Sequence, residues 1–106
     1  NFQKIIEDTS PEVSLTEKST FNYVLQEDIL SFIQESFRNK YTGIIDFVSS
    51  GNISFHQIAQ MLGKQVKFGK YTYETPSLPN QSLVQVFPTA AFSSKENIQR
   101  YLGNKK

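Results

Sequence analysis

The pattern of hydrophobic and polar positions predicts a compact β-α-β unit in the middle of the chain. Residues 43–48, GIIDFV, are β-branched and aromatic, which is typical of a mostly buried strand. Apolar residues then recur at helical spacing over residues 54–62, and Ser54 and Gln57 have the spacing of a capping box. Residues 65–68 alternate polar and apolar side chains, as a half-exposed strand does. If the two strands are parallel, the crossover between them is right-handed.

Helical spacing also predicts a second long helix, over residues 28–39. Asp28 lies at its start, where the helix dipole favours a carboxylate. The apolar face of this helix contains Ile29, Leu30, Ile33 and Phe37, with Phe32 as an extra apolar contact. Because Glu27 and Asp28 are adjacent, they do not face each other on a helix. We therefore interpret one of them as a helix-start charge, and not the two as an acid–base pair.

Shorter patterns predict the remaining elements. Residues 2–7 have the spacing of a short helix. Residues 94–102 have the spacing of a longer one, introduced by a second capping box of Ser93 and Glu96 and closed by Gly103.

In one further segment polar and apolar residues alternate, and another fits more than one type of element. Residues 13–15 and 20–24 alternate around a polar turn, which favours a β-hairpin. Residues 80–84 fit a short helix capped by Asn80, but they fit a strand as well, and both alternatives stay open.

Composition narrows the functional classes. A chain of 106 residues predicts a single domain over 1–106, and a net charge of +1 gives no overall field for nucleic acid or an anionic membrane. No apolar run approaches membrane-spanning length. The chain has no cysteine, which excludes a disulfide scaffold and a thiolate metal site and fits the cytoplasm. His56 is the only histidine, so we interpret it as a solvated surface residue and expect no metal site.

The order of these patterns along the chain is similar to that of a known protein family. The chain has FNYV at 21–24, an acidic pair opening a helix, GIIDFVSSGNIS at 43–54, QIAQMLG at 57–63, VKFG at 66–69 and FSSKENIQRYL at 92–102. This order resembles the carboxyl-terminal region of the NAD-dependent epimerase/dehydratase family, the extended short-chain dehydrogenases that act on nucleotide sugars. The resemblance covers most of the chain. It departs from the family where Ser19 and Thr20 replace an arginine that often meets a substrate phosphate.

The resemblance implies a small α+β fold, the substrate-side fragment of a Rossmann-type enzyme that closes over a nucleotide sugar. NAD(P) and the catalytic residues would belong to the amino-terminal cofactor domain of the parent enzyme, which would be a partner of this region. The string Tyr101 to Lys105 matches the family's Tyr-x-x-x-Lys motif, but Gly103 interrupts the helix turn that the motif needs, so we expect no catalytic residue here. The chain starts at Asn1, and we interpret it as a piece of a longer enzyme that is inactive alone.

Residues 67–73, KFGKYTY, interleave cations with aromatic rings. In the family, loops after such strands lie near the substrate cleft, so the resemblance makes Lys70, Tyr71 and Tyr73 candidate contacts to the sugar nucleotide. Two other interpretations of this segment stay open. The same residues fit an amphipathic strand packed on the core, or a stacking surface for single-stranded nucleic acid, for which the basic footprint is small.

A different class of function also stays open. The chain could be a free-standing module that binds a protein through a sheet edge, or single-stranded nucleic acid through residues 67–73. An excised region would also expose an apolar patch or a strand edge, which predicts self-association into a homo-oligomer.

Overall fold

The computed structural model describes residues 2–8, 10–40, 43 and 45–104. Together these residues form a small mixed α and β fold. The helices and strands are α1 Phe2–Glu7, β1 Thr20–Phe21, α2 Gln26–Asn39, β2 Ile53–Ser54, α3 Phe55–Leu62, α4 Gln81–Val86, a 3₁₀ turn Pro88–Ala91 and α5 Ser94–Asn104. The chain divides into two compact units, with residues 1–21 and 53–75 in unit 1 and residues 22–52 and 76–106 in unit 2. No helix in the described ranges has the length and apolar character that crossing a membrane requires.

Unit 1 is built around a short antiparallel pair of strands followed by a helix. Strand β1 pairs with β2, so that Phe21 lies opposite Ile53. Helix α3 follows β2 directly and begins with the predicted capping box: Ser54 Oγ accepts from the Gln57 N–H at 3.2 Å, and Gln57 Oε1 accepts from the Ser54 N–H at 2.9 Å. Gly63 ends the helix at a φ of 64°, a left-handed conformation that glycine adopts without strain. The predicted helix and both of its caps are confirmed.

The predicted β-α-β unit around α3 is wrong. The described residues 45–49 are not in a strand (Ile44 lies outside the described residues), and Lys67 forms a parallel bridge with Glu12. Phe47 instead packs its ring against Phe32 and Phe87 in unit 2. Phe47 is therefore used for side-chain packing and not for a ladder, while Ile45 is exposed.

The predicted hairpin between residues 13–15 and 20–24 is also wrong, although its turn forms. The Ser19 N–H donates to the Thr16 carbonyl at 3.1 Å, which closes the turn. Beyond it, the first segment pairs in parallel with residues 67–71, and β1 pairs with β2. The two parallel segments approach each other closely at Gly69. A Cβ at this position would lie 2.2 Å from the Ser14 carbonyl oxygen, so only glycine fits there.

Helix α1 confirms the predicted short helix near the start of the chain. Its last turn is held by a distant cation, because the Lys64 ammonium donates to the carbonyls of Ile5, Ile6 and Asp8. Cations satisfy the free carbonyls at a helix C-terminus in this way. Ile5 and Pro11 are both buried in unit 1.

The core of unit 2 is small and aromatic. Leu83, Phe87 and Ala90 are buried together, and Phe32 and Phe47 pack against them. Helix α4 shows that the ambiguous segment near Asn80 is helical. Asn80 occupies the predicted N-cap position, but its side chain makes no cap bond, and its amide instead donates to the Val48 and Ala90 carbonyls.

Helix α2 forms over the predicted segment but does not bury the predicted face. It begins two residues earlier, at Gln26, and none of its 14 residues, all of them described, is buried. Leu30, Ile33 and Phe37 are exposed, Phe37 by 82%. Phe32 makes the packing contact instead, with ring centroids 5.6 Å from Phe87. The apolar face is thus correctly spaced, but its assignment as the packed face is wrong.

Helix α5 confirms the second capping box. The Ser93 N–H donates to Glu96 Oε1 at 3.0 Å, and the Glu96 N–H donates to Ser93 Oγ at 3.2 Å. The helix continues through Gly103 to Asn104, so the predicted stop at Gly103 is wrong. Lys105, the last residue of the Tyr-x-x-x-Lys string, lies outside the described residues.

Candidate functional site

The predicted site residues Lys70, Tyr71 and Tyr73 lie on one segment of unit 1, residues 69–75. The backbone of this segment is held by residues 14–20. The Tyr71 N–H donates to the Ser14 carbonyl at 3.1 Å, and the Tyr71 carbonyl accepts from the Thr16 N–H at 2.8 Å. These bonds fix the direction in which the tyrosine side chains leave the backbone.

Both backbone groups of Tyr73 are hydrogen-bonded. Its N–H donates to Ser19 Oγ at 3.0 Å, and its carbonyl accepts from the Thr20 N–H at 2.8 Å. Ser19 is fully buried, so its hydroxyl is a fixed point for the segment. Sequence reasoning did not assign Ser19 this role, because the bond spans 54 positions and leaves no local signal.

A series of ring contacts anchors the exposed end of the site in the core of unit 1. Phe68 and Phe55 meet edge to face at 5.4 Å, Phe55 and Phe21 do the same at 5.4 Å, and Phe21 stacks on Tyr73 at 5.8 Å. The series runs from Phe55, which is 4% exposed, to Tyr73, which is 52% exposed. The Tyr73 ring is therefore supported on its inner side and open to solvent on its outer side.

Tyr71 is more exposed still, at 71%. Because residues two apart on an extended segment point to the same side, Tyr71 and Tyr73 present neighbouring rings on one face. The alternative in which Tyr71 packs on the core does not hold. Lys70 and Lys67 are exposed on the same stretch of chain. We define the group Lys70, Tyr71 and Tyr73 as the tyrosine surface.

Hydroxyl contacts brace the segment that carries the tyrosine surface. Thr72 Oγ1 lies 2.9 Å from Thr16 Oγ1, and Thr75 Oγ1 donates to the Thr20 carbonyl at 2.9 Å. Chemically, the surface offers flat rings for stacking, phenol groups for hydrogen bonds and an ammonium for an anion. These groups can bind and orient a ligand.

His56 lies beside Glu17 on the surface. Its Nδ1 lies 3.5 Å from Glu17 Oε2, and both side chains are 55% exposed. Across the described ranges, no group of three or more His, Asp or Glu side chains is placed to hold a metal ion. The contact therefore belongs to the solvated surface of unit 1.

Asp28 has a partner that the sequence did not reveal. Arg100 donates to both of its carboxylate oxygens, at 2.8 and 3.0 Å, and also to Asn97 Oδ1 at 2.9 Å. The Arg100 guanidinium lies 4.4 Å from the centre of the Phe92 ring. Hydrogen bonding to Asp28 raises the pKa of Arg100 above its usual value. This two-pronged pair ties α5 to the first turn of α2 within unit 2 and has the geometry of a structural contact.

Comparison of the chain with protein families, with curated proteins and with solved structures found no match in any of the three.

Proposed function

We propose that this chain is the substrate-side region of a nucleotide-sugar epimerase, dehydratase or reductase, and that the tyrosine surface contacts the sugar nucleotide. The observation that carries the proposal is the exposure of Tyr71 and Tyr73 on a segment whose backbone is fixed by residues 14–20. The order of sequence patterns shared with that enzyme family supports the choice of ligand.

Stacking supplies most of the expected binding energy. A tyrosine ring is large, carries few rotatable bonds and ends in a hydroxyl, so it can pack on a sugar or base and still hydrogen-bond. Stacking of a base on an aromatic side chain contributes about 1–3 kcal/mol. Tyr73 already rests on Phe21, so little of this gain is lost in ordering its ring. Lys70 is exposed at the position before Tyr71, and its ammonium adds a positive charge that favours an anionic ligand.

We place no dinucleotide cofactor on this chain, because its glycines lack the spacing of a Gly-rich phosphate turn. A Gly-rich turn needs open space at its glycines so that the backbone can approach a pyrophosphate. Gly69 instead lies against the Ser14 backbone, and Gly63 closes α3. NAD(P) would thus belong to the amino-terminal domain of the parent enzyme, and this chain would bind and select the substrate. A cytoplasmic location and that cofactor domain as partner are parts of the same proposal.

Affinity measurements on variants test this assignment. Isothermal titration of UDP-, GDP- and dTDP-sugars should show binding to one of the three. Tyr71→Ala and Tyr73→Ala should each weaken it by about 5- to 150-fold, the range that 1–3 kcal/mol of stacking corresponds to. Phe37→Ala is the matched control, because it removes another exposed aromatic ring from a different element. Binding that both tyrosine variants leave unchanged would contradict the proposal.

A second candidate function is binding of single-stranded nucleic acid. It is favoured by the alternation of Lys67 and Lys70 with Phe68, Tyr71 and Tyr73, since cations and stacking rings together bind such strands. A short oligonucleotide titrated in the same way distinguishes the two functions. Binding that falls steeply with salt and exceeds the affinity for every nucleotide sugar would favour the nucleic-acid module.

A further inference from the structure

The segment that carries the tyrosine surface has an open backbone edge. The N–H groups of Gly69, Tyr71, Tyr73 and Thr75 all donate inward, to residues 14–20. Among the described residues, the backbone groups of the intervening residues, Lys70, Thr72 and Glu74, have no hydrogen-bond partner. The N–H groups of Tyr71, Tyr73 and Thr75 point inward at alternate positions, as in an extended segment, so the backbone groups of Thr72 and Glu74 turn outward. Lys70 lies at a bend where this unpaired edge in unit 1 begins.

The side chains along this edge are complementary to themselves. If a second copy pairs antiparallel about Thr72, then Lys70 of each copy faces Glu74 of the other, and Thr72 faces Thr72. On the opposite face, Tyr71 of each copy lies beside Tyr73 of the other. Opposite charges, paired threonines and paired aromatic rings are each favourable across antiparallel strands.

We infer that two copies of the chain associate through residues 70–74, as an antiparallel strand pair with a two-fold axis at Thr72. In this register the open backbone groups of Lys70, Thr72 and Glu74 become hydrogen-bonded pairs with the second copy. A two-fold contact uses the same surface on both copies, so assembly stops at the dimer. Pro76, which has no N–H, limits the edge at its far end.

The charges of Lys70 and Glu74 favour this antiparallel register over other ways of pairing the two strands. A parallel pair in register would place Lys70 against Lys70 and Glu74 against Glu74, and like charges directly opposite are destabilising. Shifting the antiparallel register by two residues separates each lysine from its glutamate. Charged residues usually keep edge strands apart, but here opposite signs stand at equal distances from one centre. The edge therefore discourages general aggregation and favours one specific partner, its own copy.

The dimer would enlarge the tyrosine surface. The rings of Tyr71 and Tyr73 from both copies would lie on one face, so that the second copy contributes residues to the candidate site. The pairing itself does not rest on the proposed function. It is measured without any nucleotide sugar, so failure of either proposal is recognised separately.

A charge exchange tests the pairing. Sedimentation equilibrium up to about 1 mM protein should show a dimer for the wild-type chain, a concentration range suited to so small an interface. Lys70→Glu alone and Glu74→Lys alone each place like charges at both facing positions, and each should weaken dimerisation roughly tenfold, less at high salt. An equimolar mixture of the two variants, and the double variant Lys70→Glu/Glu74→Lys, should both regain it.

A change at the centre tests the backbone bonds. Thr72→Pro removes the hydroxyl contact with Thr16 and an outward N–H but no inward N–H, so it should abolish the dimer while the fold persists, as circular dichroism would show. Thr72→Val, which keeps the N–H, is the control and should still dimerise. A chain that stays monomeric throughout would overturn the inference. So would a dimer unaffected by both single charge variants, or one lost on Phe37→Ser in α2 and not on Thr72→Pro.

Discussion

Helices α2 and α3 have similar apolar periodicity and very different burial. The eight residues of α3 include three that are buried, Phe55, Ile58 and Ala59, whereas none of the 14 residues of α2 is. Helix α3 also begins with a complete capping box, while α2 begins after Leu25 without a side-chain cap bond. Periodicity thus gives a helix an apolar face, and the neighbours of that helix decide whether the face is buried.

The two helices are held by different interactions. Burial and two satisfied ends stabilise α3, because Ser54 and Gly63 satisfy groups that a helix end otherwise leaves unpaired. Helix α2 depends on one ring, Phe32, in an aromatic cluster, and on the pair between Asp28 and Arg100. Mutations should therefore affect α3 through its core and α2 through a few specific contacts.

The same substitution in both helices gives the largest contrast. Ile58 is 1% exposed, so Ile58→Ala should lower the free energy of unfolding by about 2–5 kcal/mol, through lost burial and a cavity. Ile33 is 46% exposed, so Ile33→Ala should change it by no more than about 0.5 kcal/mol. Urea denaturation followed by circular dichroism measures both. Equal losses at the two positions would show that the α2 face is covered.

A smaller effect is expected at the ion pair that secures α2. Arg100→Met keeps most of the apolar stem, removes both bonds to Asp28, and should cost about 1–2 kcal/mol, between an exposed and a buried pair. Asp28→Asn, which can still accept one bond, should cost less.

The pH dependence of this contribution follows from the pKa of Arg100, which the Asp28 hydrogen bond raises. A raised pKa means that the stabilising charge is fully present below the pKa of arginine in the unfolded chain and is lost only as pH rises through the still higher folded value. The cost of Arg100→Met should therefore stay constant from neutral to mildly alkaline pH. A cost that disappears near pH 9, far below the arginine range, would exclude Arg100 as the stabilising cation.

The smallest expected effect is on the pH dependence of stability, which should differ between the two capping boxes. Hydrogen bonds from the Ser93 backbone and then from its side chain lower the pKa of Glu96 below 4.5, whereas Gln57 in the α3 box does not titrate. A lowered pKa gives stability that is present above 4.5 and lost as pH falls through the folded value. Glu96→Gln should therefore remove part of the acid-side loss of stability. If unfolding curves of the variant and the wild type shift in parallel on acidification, the Glu96 box does not contribute.

Local features were predictable from sequence, and contacts between distant segments were not. Both capping boxes and the left-handed Gly63 follow from residues a few positions apart, where chemistry alone decides the geometry. The pairing of Glu12 with Lys67, by contrast, depends on a tertiary approach that no local pattern encodes. The runs at 43–48 and 13–15 therefore had strand composition without the predicted strand partners.

The candidate site also combines local features with contacts between distant segments. The interleaved cations and rings of residues 67–73 are a local signal, and the family resemblance made Lys70, Tyr71 and Tyr73 the candidate contacts within them. The buried hydroxyl of Ser19, the support of Tyr73 by Phe21 and the open edge beyond them required the folded chain. These contacts convert two exposed tyrosines into an ordered surface.

Mapping of ligand contacts by ¹H–¹⁵N NMR tests the central claim most directly. On addition of UDP-, GDP- or dTDP-sugars, the account predicts saturable shifts concentrated in the amides of residues 69–75, lost in Tyr71→Ala and Tyr73→Ala and kept in Phe37→Ala. Shifts confined to other residues, or none with any of the three nucleotides at millimolar concentration, would contradict the assignment of this surface to a sugar nucleotide.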